Sequence, residues 1–135
     1  MYSNILVPII LDEAYDTDAS FAAARALASP EAVFTVLYVM EELPGYARAE
    51  LSGAVLANTR QEVAHELSEA AKALPGAKAQ LISGHSGRSI LDYADAHDID
   101  CIIIASHQPG LEDYLLGSTA SRVVRHARCA VHVIR

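Results

Sequence analysis

Gly117, Ser118 and Thr119 are the residues whose types and spacing best suit chemistry with a small anion. They follow an apolar run, Cys101–Ala105, and an irregular segment, and they stand at the head of a stretch with helical periodicity. A helix start offers unpaired N–H groups and the positive end of the backbone dipole, and a glycine there lets a ligand approach the main chain. The whole stretch Cys101–Ala120, CIIIASHQPGLEDYLLGSTA, therefore reads as two halves of a phosphate cradle. The plain alternative is a capped helix, since serine and threonine are common caps. The dipole alone contributes ~0.3–1 kcal/mol at an exposed site, whereas micromolar affinity needs about 8 kcal/mol. Several N–H bonds and an apolar pocket must act together.

Other chemistry finds less support. Ser, His and Asp all occur, but no nucleophile elbow or triad spacing joins them, so no catalytic residue is assigned. The segment GHSGRS at Gly84–Ser89 lacks the Gly-Lys-Ser/Thr ending of a phosphate-binding P-loop. The histidines are scattered, with only His126 and His132 near one another, and no metal site is proposed. His85 and Arg88 are weaker candidates for ligand contact. Arg122 and Arg125 read as structural or interfacial in preference to phosphate ligands. The acidic pairs Glu41-Glu42 and Glu112-Asp113 read as solvated loop charges.

The elements that must position these residues alternate in type. Asn4–Ile10 is a near-continuous apolar run, the pattern of a strand covered on both faces, with Pro8 near its end. Thr17 or Asp18 is placed to cap a helix carrying Phe21, Ala24, Leu27 and Ala28, which Ser29-Pro30 should stop. Ala32–Val39 predicts a second strand, and the helix over Thr59–Leu74 ends at Pro75-Gly76. Ala77–Ile82 is a third strand, Ser83–Arg88 a loop and Ser89–His97 a helix. Cys101–Ala105 is the most apolar strand and belongs at the centre of a sheet. A helix over Thr119–Ala127 and a strand over Ala130–Ile134 follow.

Such alternation predicts an α/β fold with a parallel sheet and helices on both faces. Ligands then bind beyond the carboxyl ends of the strands, where the winding reverses. The loops after the first strand, Ile9–Asp12, and after the fourth, Ala105–Leu116, are the natural pair.

A chain of 135 residues with no linker or repeat is expected to form one domain over its full length. Acids outnumber bases 17 to 10, and the net charge of −7 disfavours nucleic acid as a partner. No apolar run is long enough to span a bilayer, and Met1–Asn4 lacks a basic flank, so neither a membrane nor a signal peptide is expected. Two cysteines without close spacing, Cys101 and Cys129, suit a reducing cytoplasm.

At these residues the chain resembles the universal stress protein family. The opening ILVPI resembles the family's first strand, and DIDCIIIASHQPGLEDYLLGSTASRVVRHARCAVHVIR resembles its C-terminal part. The wording ASHQP…YLLGS…VVRHA is most like the bacterial F/G-type subgroup. The resemblance implies a single-domain, open, Rossmann-like five-stranded sheet of order 3-2-1-4-5. It also implies a regulatory adenine nucleotide, ATP with or without Mg²⁺, and at most slow hydrolysis or autophosphorylation. Carried over position by position, the base pocket would come from Pro8, Ile9 and Ile10, with Asp12 nearby, and from Tyr38 and Val39. Ribose and phosphates would meet Ala105, Ser106, His107, Gln108, Gly117, Ser118, Thr119 and Ala120.

Nucleotide-binding members carry G-x2-G-x9-G-[ST] here. The closing pair is present as Gly117-Ser118, but the two earlier glycines are not. The family often places Asp two residues after the strand proline, where this chain has Ile10. These departures support a second reading, a dimeric interaction module whose nucleotide site has decayed. The apolar strand Ala130–Ile134 is expected at a sheet edge, which invites pairing. The resemblance implies that two such edges pair antiparallel in a homodimer.

Overall fold

The computed structural model describes residues 1–12, 15–41, 45–106 and 116–135. They form a five-stranded sheet of order β3-β2-β1-β4-β5 from β1 (Tyr2–Pro8), β2 (Ala28–Met40), β3 (Lys78–Ser83), β4 (Cys101–Ala105) and β5 (Ala130–Ile134). Every neighbouring pair is parallel. The helices are α1 (Thr17–Leu27), α2 (Gly45–Ala49), α3 (Gly53–Ala71), α4 (Ser86–Ala96) and α5 (Ser118–His126). The expected class, order and two-sided helical cover are all present.

Two apolar layers hold the sheet. On one face Phe21 and Ala24 of α1 and Leu67 and Ala71 of α3 meet Ile5, Val7, Val36 and Ile103. On the other, Ile90 and Ala94 of α4 and Ala120 and Val123 of α5 meet Leu6, Leu37, Ile102 and Ile104. Alternate residues of β1 and β4 thus serve opposite layers, which is why both strands read as unbroken apolar runs. Ile102 and Ile103 are both fully buried, and each contributes roughly 1.5–3 kcal/mol.

Several boundaries differ from the sequence reading. β1 ends at Pro8, so Ile9 and Ile10 lie beyond the strand. Ile9 N–H still donates to Leu37 O at 2.9 Å, and the chain then diverges. Ser29-Pro30 does not separate helix from loop. α1 ends at Leu27, and Ala28 is already extended, with φ −80° and ψ 141°. The register between β1 and β2 jumps there, from Tyr2↔Ala28 to Asn4↔Val33. Pro30 falls within the jump, where its missing N–H leaves no ladder bond unmade.

α3 starts at Gly53 instead of Thr59, capped by Ser52 Oγ, which accepts from Val55 N–H at 3.1 Å. Its first turns are exposed, Val55 at 49%, so no apolar period marks them. The expected Ser83–Arg88 loop is shorter than read, because β3 runs to Ser83 and α4 begins at Ser86.

The far end of the sheet is fixed by Asp100. Its carboxylate accepts from Ser3 N–H at 2.9 Å, Ser3 Oγ at 3.0 Å and Asn4 N–H at 3.0 Å. Asp100 N–H in turn donates to Asn4 O at 2.9 Å. Burial pushes this carboxyl upward, but the three donated bonds outweigh it and hold it below its ordinary range. The clamp sets β1 beside β4 from their starts, and so sets how their carboxyl ends meet the site.

Candidate functional site

From β1 the chain winds outward through β2 to β3, then returns to place β4 on the other side of β1. The loops after β1 and β4 therefore diverge, and a crevice opens beyond the two strand ends. A cavity of about 1000 Å³ lies there. One wall is Pro8, Ile9 and Ile10, a second is Leu37–Met40 at the end of β2, and a third is the start of α5.

The start of α5 has the character expected of an anion seat. Its N-cap is buried Gly117, and no side chain among the described residues caps it. Ser121 N–H makes the first intrahelical bond, to Gly117 O at 2.9 Å. The hydroxyls of Ser118 and Thr119 do not serve as caps. Thr119 Oγ1 instead lies 2.9 Å from Ser86 Oγ on α4, and Ser86 Oγ also donates to Glu41 Oε1 at 3.4 Å. The first-turn residues of α5 line the cavity, and their N–H groups, with the dipole's positive end, are left without a side-chain cap among the described residues.

Gly84 makes the α4 side of the site possible. It has φ +144°, and a Cβ there would stand 2.6 Å from Ser89 Oγ. Its N–H donates to Met40 O at 3.1 Å, which ties the end of β2 to the entry of α4. Only glycine takes that backbone without strain.

Of the residues singled out in sequence, Pro8, Ile9, Ile10, Tyr38, Val39, Ala105, Ser106, Gly117, Ser118, Thr119 and Ala120 line this one cavity. Ile10 projects at the surface, 49% exposed, where the family pattern has a carboxylate. Asp12 is not among the lining residues. His107 and Gln108, with Glu42, Glu112 and Asp113, lie outside the described residues. Ser106 lines the cavity, but its hydroxyl donates to Ile134 O at 3.1 Å and its N–H to the same carbonyl at 2.8 Å. Its proton is therefore committed to β5.

The sequence reading missed Tyr15, Met40, Ser86, Ser121 and His126, all of which line the cavity. Burial pushes the Tyr15 phenol upward, so it stays a neutral donor. Glu41, read as a solvated loop charge, also faces the cavity, as do His85, Arg122 and Arg125, whereas Arg88 does not. The signal for Ser86 was available: a run of small polar residues between a strand and a helix marks a site as well as a loop. No cluster of three or more potential metal ligands occurs among the described residues.

The family model for universal stress proteins matches residues 1–135. The chain belongs to the universal stress protein family. Universal stress protein G of Escherichia coli O157:H7 is 30% identical over 145 residues, with 100% of both chains covered. Universal stress protein UspA from Lactobacillus plantarum shares 32% identity and a TM-score of 0.70, over 99% of this chain and 98% of that one. A universal stress protein in complex with cAMP shares the fold at TM-score 0.67 and 18% identity, over 99% and 97% of the two chains. The likeness to the G-type proteins agrees with the subgroup suggested by ASHQP…YLLGS. No described helix is long and apolar enough to cross a membrane.

Proposed function

We propose that this universal stress protein binds an adenine nucleotide, ATP foremost, as a regulatory ligand in a cytoplasmic stress response. The observation that carries this reading is the uncapped N-terminus of α5 at Gly117, set in the cavity beyond β1 and β4. The phosphates would lie against the N–H groups of Ser118–Ala120, and the base would pack between Pro8–Ile10 and Tyr38–Val39. Solved members of the fold that hold cAMP, AMP and dAMP support the choice of ligand class. Glu41 is the one carboxylate among the described lining residues. A Mg²⁺ carried by phosphates commonly uses no more than one or two carboxylates.

A thermal shift with ATP and Mg²⁺ tests the reading. Ligand at a hundred times Kd stabilises the native state by about 2.7 kcal/mol. Gly117→Val should abolish that shift, because a side chain at the buried N-cap fills the anion seat. No shift of the native protein at millimolar nucleotide defeats the proposal.

Ile10, exposed at the position of the expected carboxylate, favours a second reading as a dimeric interaction module without nucleotide. There Gly117→Val changes stability alone. Both readings use the edge strand β5 for antiparallel pairing into a homodimer. Sedimentation as a monomer at high micromolar concentration contradicts that pairing.

A further inference from the structure

We propose that Arg122 and Arg125 form a second anion subsite in the same cavity, which takes the distal phosphates of a polyphosphate chain. For a nucleotide ligand this rests on the reading above, but the subsite itself is defined by the cations.

The chain carries a net charge of −7, yet the described cavity lining has the opposite balance. Arg122, Arg125, His126 and His85 line it against the single carboxylate of Glu41. Among the described residues neither guanidinium is paired with a carboxylate. Two arginines three apart share one helix face and repel each other, so the arrangement does not stabilise α5 by itself. The helix dipole accounts for Arg125 and His126, which lie in the last turn. It does not account for Arg122, which lies mid-helix, before the last turn.

Gly87 supplies an independent reason to regard Arg122 as placed. A Cβ on this buried residue of α4 would meet Arg122 Cδ at 2.9 Å, Cβ at 3.3 Å and Cγ at 3.4 Å. The stem of Arg122, an exposed residue, therefore packs against the face of α4 that Gly87 leaves open. A stem held by packing loses less freedom when its guanidinium binds, and the planar fork suits phosphate oxygens.

The spacing selects a chain of phosphates over a single one. At about 1.5 Å per residue, Arg122 lies about 6 Å and Arg125 about 10 Å along the helix from Ser118. One phosphate seated at the helix start would leave Arg125 without a partner, whereas a run of phosphates along α5 meets both. The cavity, about 1000 Å³, stands at the upper end of the roughly 300–1000 Å³ common for small-ligand sites.

The test is calorimetric titration of the native protein and the double variant Arg122→Gln/Arg125→Gln with inorganic tripolyphosphate, ATP and AMP. Tripolyphosphate should bind the native protein and at least about tenfold more weakly to the variant. ATP should lose a similar factor while AMP changes less than about twofold, with circular dichroism confirming an unchanged fold. Tripolyphosphate that does not bind the native protein overturns the subsite, as does a variant that holds tripolyphosphate and ATP undiminished. Arginine-dependent tripolyphosphate binding without any AMP or ATP binding retains the subsite and rejects the nucleotide reading.

Discussion

The hydroxyl oxygens of Ser86 and Thr119 stand 2.9 Å apart, and through them the first turns of α4 and α5 are joined at the edge of the cavity. Two hydroxyls of types that commonly cap helices instead join two helix starts. The helix start at Gly117 is therefore tied to α4 and still has no side-chain cap among the described residues. Glu41 extends the same chain to the end of β2 through its 3.4 Å contact with Ser86.

The Ser86–Thr119 link should be measurable by a double-mutant cycle. Ser86→Ala and Thr119→Val are each expected to lower stability by about 0.5–1.5 kcal/mol, the usual net worth of one hydrogen bond. The double variant should cost less than the two together, because both remove the same contact. Additive losses in urea denaturation would show that the hydroxyls act independently.

Gly84→Ala should destabilise the protein by about 1–3 kcal/mol, since φ +144° is held at a residue that acquires a Cβ. The cost should appear in the denaturation midpoint with little change of m-value. An unchanged midpoint would contradict the glycine requirement.

Asp100 predicts one component of acid sensitivity. Its folded-state pKa lies below the ordinary carboxylate value of about 3.9. Between the folded and unfolded values the unfolded chain binds more protons, so this group stabilises the fold at neutral pH. That contribution is complete above the unfolded value and is lost as pH falls through the folded one. Asp100→Asn should lower stability at pH 7 by about 1–2 kcal/mol, reduced from the buried-site range because the group is partly exposed. The difference from the native protein should shrink as pH falls below the ordinary carboxylate range. A constant difference across pH would show that charge is not involved.

The two thiols should differ in reactivity. Cys101 is 1% exposed, and burial pushes its thiol up to about 11, whereas Cys129 is half-buried and also raised. Alkylation of the native protein at pH 8 should modify Cys129 slowly and Cys101 only after denaturant is added. Rapid labelling of Cys101 without denaturant would contradict its place in the core.

Sequence made the sheet legible because β1 and β4 lie between two helical layers and carry apolar residues on both faces, as in LVP and CIII. Where burial is one-sided or absent the pattern fails. The first turns of α3 are exposed, so nothing periodic announces them before Thr59. Pro30 looked like a terminator because only the register between β1 and β2 shows that its strand skips a ladder bond. Gly117-Ser118 was visible as a helix start, and Pro8–Ile10 and Tyr38–Val39 entered through family resemblance. Ser86 and Glu41 were not recognised, because their place in the site depends on the start of α4 meeting the end of β2 at the same crevice.

Calorimetric titration of the native protein with ATP and Mg²⁺ decides whether the cavity at the start of α5 is a nucleotide site. Saturable one-site binding in the micromolar range, about −8 kcal/mol, is expected, with the heat lost in Gly117→Val. Absence of any binding heat up to millimolar ATP, with the protein folded throughout, would contradict it.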